Sequence, residues 1–225
     1  MKTAIVWFKT DLRLLDNETV MKAIAQSDQV IPVYCFDEAH FETMSYGFTK
    51  TGSYRAQFLL ESLQDLDTNL RKIGSGLLIL RGKPEVEIPK IVAQYGAHKV
   101  FAKREVAYEE KQTEKKVQDA LFKLRCELDT LSTSTLYHAE DLPFSIKDIP
   151  DVFTVFRKKT EQDAAIRSVF KAPLSMQSPP IPELLLPSLK DFGLKKVKID
   201  ARAAIPFKGG ETEALKRLNY YFFES

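Results

Sequence analysis

The sequence is poor in cysteine and in net charge. Only two of its 225 residues are cysteine, Cys35 and Cys126, and both fall in apolar segments that predict strands. We therefore expect no disulfide framework, but two buried, reduced thiols in a cytoplasmic protein. Basic residues exceed acidic ones by a formal charge of only +2. This balance indicates no general attraction to nucleic acid or to a membrane surface.

Long apolar runs and common enzyme signatures are also missing. No run approaches the roughly 18 residues that span a bilayer, and the N-terminus does not follow the secretory pattern. The motifs G-x-S-x-G, H-E-x-x-H, the Walker loop and paired C-x-x-C do not occur. The histidines, His40, His98 and His138, are too scattered to predict a metal site. We expect neither catalytic residues nor metal ligands.

The stretch from Ile5 to Asn17 organises the chain. It begins in an apolar run, residues 4–8, which is typical of a strand buried on both faces. Asp16 or Asn17 then suits the N-cap of a following helix. Residues 9–15 should therefore form a loop at the carboxyl end of a central strand, where open α/β sheets bind ligands.

Strands and helices alternate through the first 131 residues. This pattern predicts an α/β fold: a Rossmann-like five-stranded parallel sheet with strand order 3-2-1-4-5 and helices on both faces. The predicted strands cover residues 4–8, 29–36, 77–80, 98–102 and 126–131, and the predicted helices cover residues 17–26, 53–73, 84–95 and 107–124. Pro89 should separate or bend the first turn of the third helix.

Two regions follow this domain of residues 1–131. Residues 132–208 are rich in proline and predict a long connector with one short helix at 152–163. Residues 209–225 predict a helix that ends in four aromatic residues, 220–223. Because exposed aromatics form an apolar patch, we expect a fragment of a longer protein or a subunit that docks there.

In the predicted strand order, a crevice opens between the loops at residues 9–15 and 103–110. Glu109 and Glu110 lie there, at the start of a helix. One interpretation needs no ligand: acidic residues are common at helix N-termini because they interact favourably with the positive end of the helix dipole. Alternatively, one carboxylate accepts two parallel N–H bonds from an amidine-like edge, such as that of a pterin ring.

Aromatic rings follow the second strand near the same edge. Phe36, His40 and Phe41 either cover a flat heterocycle or belong to the core. Two further candidates are Asp37 at the end of that strand and Lys9 in the first loop. The candidate cofactor-binding residues are therefore Glu110, Glu109, Phe36, Asp37, His40 and Lys9.

Several motifs resemble those of photolyases and cryptochromes, in particular the cryptochrome DASH branch, and they span essentially the whole chain. They are Lys9-Thr10-Asp11-Leu12-Arg13 with Asp16-Asn17, Lys50-Thr51-Gly52, Gly82-Lys83-Pro84-Glu85, Leu136-Tyr137-His138, Asp141-Leu142-Pro143-Phe144, Pro150-Asp151-Val152-Phe153 and Gly209-Gly210-Glu211.

The resemblance implies a blue-light flavoprotein with two parts. Its N-terminal α/β domain binds an antenna, usually methenyltetrahydrofolate. A larger helical domain holds FAD. The full-length protein either repairs cyclobutane pyrimidine dimers, preferentially in single-stranded DNA, or acts as a photoreceptor. This chain corresponds to the first part with the connector, and residues 209–225 to the start of the helical domain, so we do not expect enzyme activity from it alone.

The resemblance also ranks the site residues. In the family, a carboxylate just after the fourth strand grips the pterin, which makes Glu110 the first choice and Glu109 the second. Lys9 replaces a usual arginine, so a positive charge remains but a bidentate fork does not. Two alternatives stay open: a nucleotide-binding sensor of similar topology, and a partner-docking domain with an empty crevice.

Overall fold

The computed structural model describes residues 1–198, 200–203, 205 and 207–224, and its centre is a five-stranded parallel sheet with order β3-β2-β1-β4-β5. The predicted sheet and its strand order are therefore confirmed. The strands are β1 (Thr3–Phe8), β2 (Gln29–Phe36), β3 (Leu78–Arg81), β4 (Lys99–Lys103) and β5 (Glu127–Leu131). Cys126 is buried but precedes β5 and does not belong to it.

Strand β1 is central because its side chains are buried on both faces. Every residue from Thr3 to Phe8 is buried, with Ala4 paired to Val30 of β2 and to Lys99 of β4. Such a run can lie only between two neighbours and two helical layers.

Six helices accompany the sheet in the described residues: α1 (Glu18–Gln26), α2 (Ser53–Lys72), α3 (Pro84–Tyr95), α4 (Tyr108–Lys123), α5 (Phe153–Asp163) and α6 (Glu211–Asn219). Helices α1 and α2 pack with Ala4, Val6 and Phe8 on one face of the sheet. Helices α3 and α4 pack with Ile5 and Trp7 on the other face. The prediction of helices on both faces is confirmed.

Local signals explain the boundaries of α1 and α3. Asn17 caps α1 by accepting a hydrogen bond from the Val20 amide at 3.2 Å. Gly96 ends α3 in the left-handed conformation. The separate first turn predicted at Pro89 is wrong, because Pro84–Tyr95 is one helix with Pro84 at its first position. Pro89 is the sixth residue of this helix, so it removes one i→i−4 hydrogen bond, the one to the Glu85 carbonyl, and the helix continues on both sides of it.

The connector runs over the surface, and apart from α5 and short 3-10 turns its described residues have no regular secondary structure. Its Met176 is buried and donates its amide to the Ile73 carbonyl at 2.8 Å, while Gln177 accepts from the Val30 amide at 2.8 Å. These bonds fasten the connector to the end of α2 and the start of β2. Ile199, Ala204 and Pro206 of the predicted connector, and Ser225 of the predicted C-terminal segment, lie outside the described residues.

The four predicted C-terminal aromatics continue α6 as a π-helical turn, Tyr220–Glu224. Their relative exposure ranges from 48% for Tyr220 to 81% for Phe223, which confirms an exposed apolar patch. Across the described part of the chain, no helix is both long and apolar enough to cross a bilayer.

Candidate functional site

The loops after β1 and β4 contact each other at the carboxyl edge of the sheet. Lys9 Nζ lies 2.5 Å from Glu114 Oε1 in α4, and both side chains are only 13% exposed. The same oxygen accepts the Glu105 amide at 2.8 Å, and the lysine ammonium lies 4.8 Å from the Trp7 ring centroid. Lys9 therefore has a protein partner of opposite charge, and its role as a ligand contact stays a prediction.

A second set of bonds joins the same loops. Lys103 Nζ donates to Thr10 Oγ1 at 2.7 Å, and that hydroxyl donates to Glu105 Oε1 at 2.9 Å. The predicted juxtaposition of residues 9–15 with residues 103–110 is thus confirmed. Together the two sets tie the loops after β1 and β4 to each other at this edge of the sheet.

Glu109 is held by the loop that follows β2. Its side chain is 68% exposed and pairs with Lys50. The hydrogen bond from Lys50 lowers the pKa of Glu109, and the charges of Lys50 and His40 lower this pKa further. The structure therefore brings His40 and Glu109, predicted from separate parts of the sequence, into one electrostatic cluster.

Glu110 is in a different environment from its neighbour. It is half-buried, and among the described residues no hydrogen bond or ion pair reaches its carboxylate. It precedes Glu114 by four residues, so both lie on the same face of α4. Because Glu114 contacts Lys9, Glu110 lies on the side of α4 that faces the loop after β1. A half-buried carboxylate without a partner is available to a ligand.

Phe36 lies deeper than a ligand-covering ring would. It is 1% exposed, and it packs against Phe41 and against Phe192 of the connector, with ring centroids 6.1 and 5.3 Å away. Phe41 stacks on Phe192 at 3.9 Å and 15°. The connector thus covers this aromatic group, which supports the core interpretation of Phe36.

Asp37 shapes the turn that carries His40. Its Oδ1 accepts the Ala39 amide at 3.0 Å and caps a short 3-10 turn, Glu38–His40. Asp37 therefore fixes the backbone before His40, and a direct bond from Asp37 to a ligand stays a prediction.

Three residues of this edge were not predicted as site residues: Lys50, Glu114 and Phe192. Lys50 belongs to a motif shared with the photolyase resemblance, so a signal existed. Glu114 and Phe192 carry no local signal, because only the fold brings them to Lys9 and Phe41.

A parallel sheet of this order, with paired loops and acidic residues at its carboxyl edge, defines an α/β domain of the class in which ligands bind at that edge. The family model described as DNA photolyase matches residues 4–182. The chain belongs to the DNA photolyase family.

Individual relatives agree over the full length of the chain. Cryptochrome DASH of Gloeobacter violaceus is 42% identical over an alignment that covers 99% of this chain and 45% of the relative. Cryptochrome DASH of Danio rerio is also 42% identical, and the alignment covers 100% of this chain and 44% of the relative. The crystal structure of the Synechocystis cryptochrome is 40% identical, with a TM-score of 0.92 over 99% of this chain and 46% of that one. The chain spans about half the length of the curated relatives it matches.

The match therefore covers the N-terminal α/β domain of a photolyase or cryptochrome. Members of this family bind FAD in a C-terminal domain. They also bind DNA and an antenna chromophore, which is a folate or another molecule.

Proposed function

We propose that this chain binds methenyltetrahydrofolate at the carboxyl edge of its sheet and passes the excitation to FAD in a helical domain. The observation that carries the proposal is the contrast between the two glutamates. Glu109 is already paired with Lys50, whereas Glu110 is half-buried and unpaired among the described residues. Glu110 is therefore the carboxylate for the amidine-like edge of a pterin, through two charge-assisted bonds.

The other site residues take supporting roles in this proposal. His40 and Glu109 form a polar rim next to the pterin, and Asp37 holds the turn that presents His40. Lys9 keeps Glu114 in place below the ligand. Phe36 supports Phe41 from the core instead of contacting the ligand.

Light harvesting needs no acid, base or nucleophile, only a chromophore held at a fixed distance and orientation. For the whole protein we propose a DASH-type flavoprotein that repairs cyclobutane pyrimidine dimers in single-stranded DNA or acts as a photoreceptor. Within it, residues 1–131 form the antenna domain, residues 132–208 the connector and residues 209–225 the start of the helical domain. The exposed aromatics after α6 are the surface against which that domain packs.

We also propose a cytoplasmic location. The support is the two buried free thiols, which suit a reducing compartment. Some relatives, such as the rice protein, are described as chloroplastic or mitochondrial.

The proposal is tested by titrating the purified chain with methenyltetrahydrofolate. Bound folate stays with the protein, so the near-ultraviolet absorption of the protein fraction measures binding. Hydrogen bonds to a charged group contribute about 1.5–3 kcal/mol, so Glu110→Gln should weaken binding about tenfold to hundredfold. Glu109→Gln should weaken binding less, because Glu109 is exposed and already paired.

A matched control is Glu18→Gln, which also removes an acid from a first helical turn but in α1, on the other face of the sheet. It should leave the affinity unchanged. Equal affinity of Glu110→Gln and the parent chain would exclude Glu110 as the pterin anchor. Absence of binding by the parent chain would remove the proposed antenna role from this chain.

A further inference from the structure

The segment Gly209-Gly210-Glu211 joins α6 to the loop after β1. The Glu211 carboxylate accepts the Leu14 amide at 2.8 Å through Oε2 and the Leu15 amide at 2.7 Å through Oε1. These partners lie almost the whole length of the chain apart. The loop that they fix is the one whose other residues, Lys9 and Thr10, contact the loop and helix after β4.

Helix α2 holds the same segment from the opposite side. Glu61 Oε2 accepts the Gly209 amide at 2.8 Å, and Asp65 Oδ2 accepts the Thr212 amide at 3.0 Å. Acidic side chains of α2 therefore satisfy amides at the start of α6 that have no partner within their own helix. The start of α6 is held on two sides by carboxylates.

The two glycines allow this close approach. A Cβ atom at Gly209 would lie 2.1 Å from the Phe58 carbonyl oxygen, and one at Gly210 would lie 2.6 Å from Asp65 Cβ. Gly210 also has a φ of +109°, which L side chains rarely adopt. Any larger residue at Gly209 must lift α6 from α2.

Ordinary helix capping does not account for Glu211. Helix α1 already has a cap, Asn17, so the bonds to Leu14 and Leu15 are not needed to start it. Glu211 also directs its carboxylate away from the amides of its own helix and toward a distant loop. A residue that binds two consecutive amides of the crevice loop controls where that loop lies.

We propose that Glu211 is a positioning residue that couples the ligand crevice to α6. Its two bonds fix the loop at residues 9–15, which contacts the loop and helix after β4 and, through them, the α4 face that carries Glu110. Occupation of the crevice and seating of α6 on α2 are therefore linked. An antenna domain needs such a link, because excitation transfer depends on a constant orientation; this part of the inference rests on the proposed function.

Amide hydrogen exchange of the 225-residue chain tests the coupling without any ligand. Glu211→Ala should accelerate exchange of the Leu14 and Leu15 amides about tenfold to hundredfold, since each loses a bond to a charged acceptor. Glu211→Gln keeps one carbonyl oxygen and should give a smaller effect. The α6 amides should accelerate in parallel, while β1 stays protected. The control Glu213→Gln, which removes an exposed acid paired with Lys216 in the same helix, should leave Leu14 and Leu15 unchanged.

A second variant, Gly209→Ala, keeps Glu211 but displaces α6 from α2. It should also accelerate exchange at Leu14 and Leu15, because the carboxylate moves with its helix. Gly52→Ala is the matched control, since an added Cβ there meets no atom within 4 Å. Fast exchange in α6 with unchanged Leu14 and Leu15 would overturn the coupling, and so would a uniform acceleration across the sheet, which indicates general destabilisation.

The ligand arm uses methenyltetrahydrofolate. In the parent chain, binding should increase protection of the α6 amides, and Glu211→Ala should remove this added protection and weaken binding severalfold. If methenyltetrahydrofolate adds the same protection to the α6 amides in Glu211→Ala as in the parent chain, the proposed link is wrong. If the parent chain binds no folate, the proposed function fails, yet the two ligand-free arms still decide whether Glu211 couples the loop to α6.

Discussion

Truncation of Phe36 distinguishes a core residue from a ligand-covering ring. Phe36 is 1% exposed and touches three rings, those of Tyr34, Phe41 and Phe192, with centroids 5.0, 6.1 and 5.3 Å away. Buried Phe→Ala changes cost about 3–5 kcal/mol, because the transfer free energy is lost and a cavity remains. At about 2–4 °C per kcal/mol for a chain of this size, Phe36→Ala should lower the Tm by roughly 6–20 °C.

The assays are urea unfolding, which gives the free energy of unfolding, and thermal unfolding, which gives the Tm. Both are monitored by circular dichroism, and the folate titration uses the same proteins. Phe36→Leu should cost about 1–2 kcal/mol and leave folate affinity within about twofold of the parent chain. Phe41→Ala should cost less than Phe36→Ala, because Phe41 is half-buried. Phe122→Ala, at an 82% exposed position of α4, is the control and should change stability by less than about 0.5 kcal/mol.

Two results would refute this reasoning. One is a loss of less than about 1 kcal/mol in Phe36→Ala, which would mean that the aromatic group tolerates the cavity. The other is a tenfold or larger loss of folate affinity in Phe36→Leu at nearly unchanged stability. The second result would mean that Phe36 contacts the ligand and that the ligand displaces Phe192 from the aromatic group.

Two further predictions concern pH and the α2–β3 junction. Burial raises the pKa of the Cys35 thiol from 9.0 to about 12, so stability that is fully present below pH 9 should fall as pH rises toward 12. Cys35→Ala should flatten this fall in urea unfolding series, and parallel curves would contradict the assignment. Asp67 is buried and accepts the Leu77 amide and Arg71 Nε, each at 2.8 Å. Asp67→Ala should therefore lower the free energy of unfolding, measured in urea, by about 2–3 kcal/mol. The control Asp119→Ala, at an exposed position, should change it very little. Equal losses in the two variants would show that the Leu77 amide finds another acceptor.

The sheet was predictable because its signals are local. The apolar run of β1, the cap at Asn17 and the regular alternation of strands and helices leave few arrangements once right-handed crossovers are required. That topology also placed residues 9–15 beside residues 103–110. The separate first turn predicted at Pro89 does not occur, because the loss of one i→i−4 hydrogen bond does not stop a helix whose other bonds continue on both sides of the proline.

Side-chain pairing at the site was predictable only in part. The spacing of charges selected Glu109 and Glu110 together, and only the family resemblance ranked Glu110 first and Glu109 second. Only the fold shows that Lys50 pairs with Glu109, whereas the half-buried carboxylate of Glu110 has no partner among the residues that the structure describes. Likewise, the sequence leaves two interpretations of Phe36, and the packing of Phe41 and Phe192 against its ring supports the core interpretation.

The sequence by itself therefore determined the strand order, the position of the crevice and the photolyase resemblance, since these depend on periodicity, caps and motifs within short segments. Tertiary structure alone decided the partners of the charged and aromatic residues. Lys9 with Glu114, Phe41 with Phe192 and Glu211 with the Leu14 and Leu15 amides are contacts between residues more than a hundred positions apart. No local pattern encodes such contacts, because they exist only after the helices and the connector have packed against the sheet.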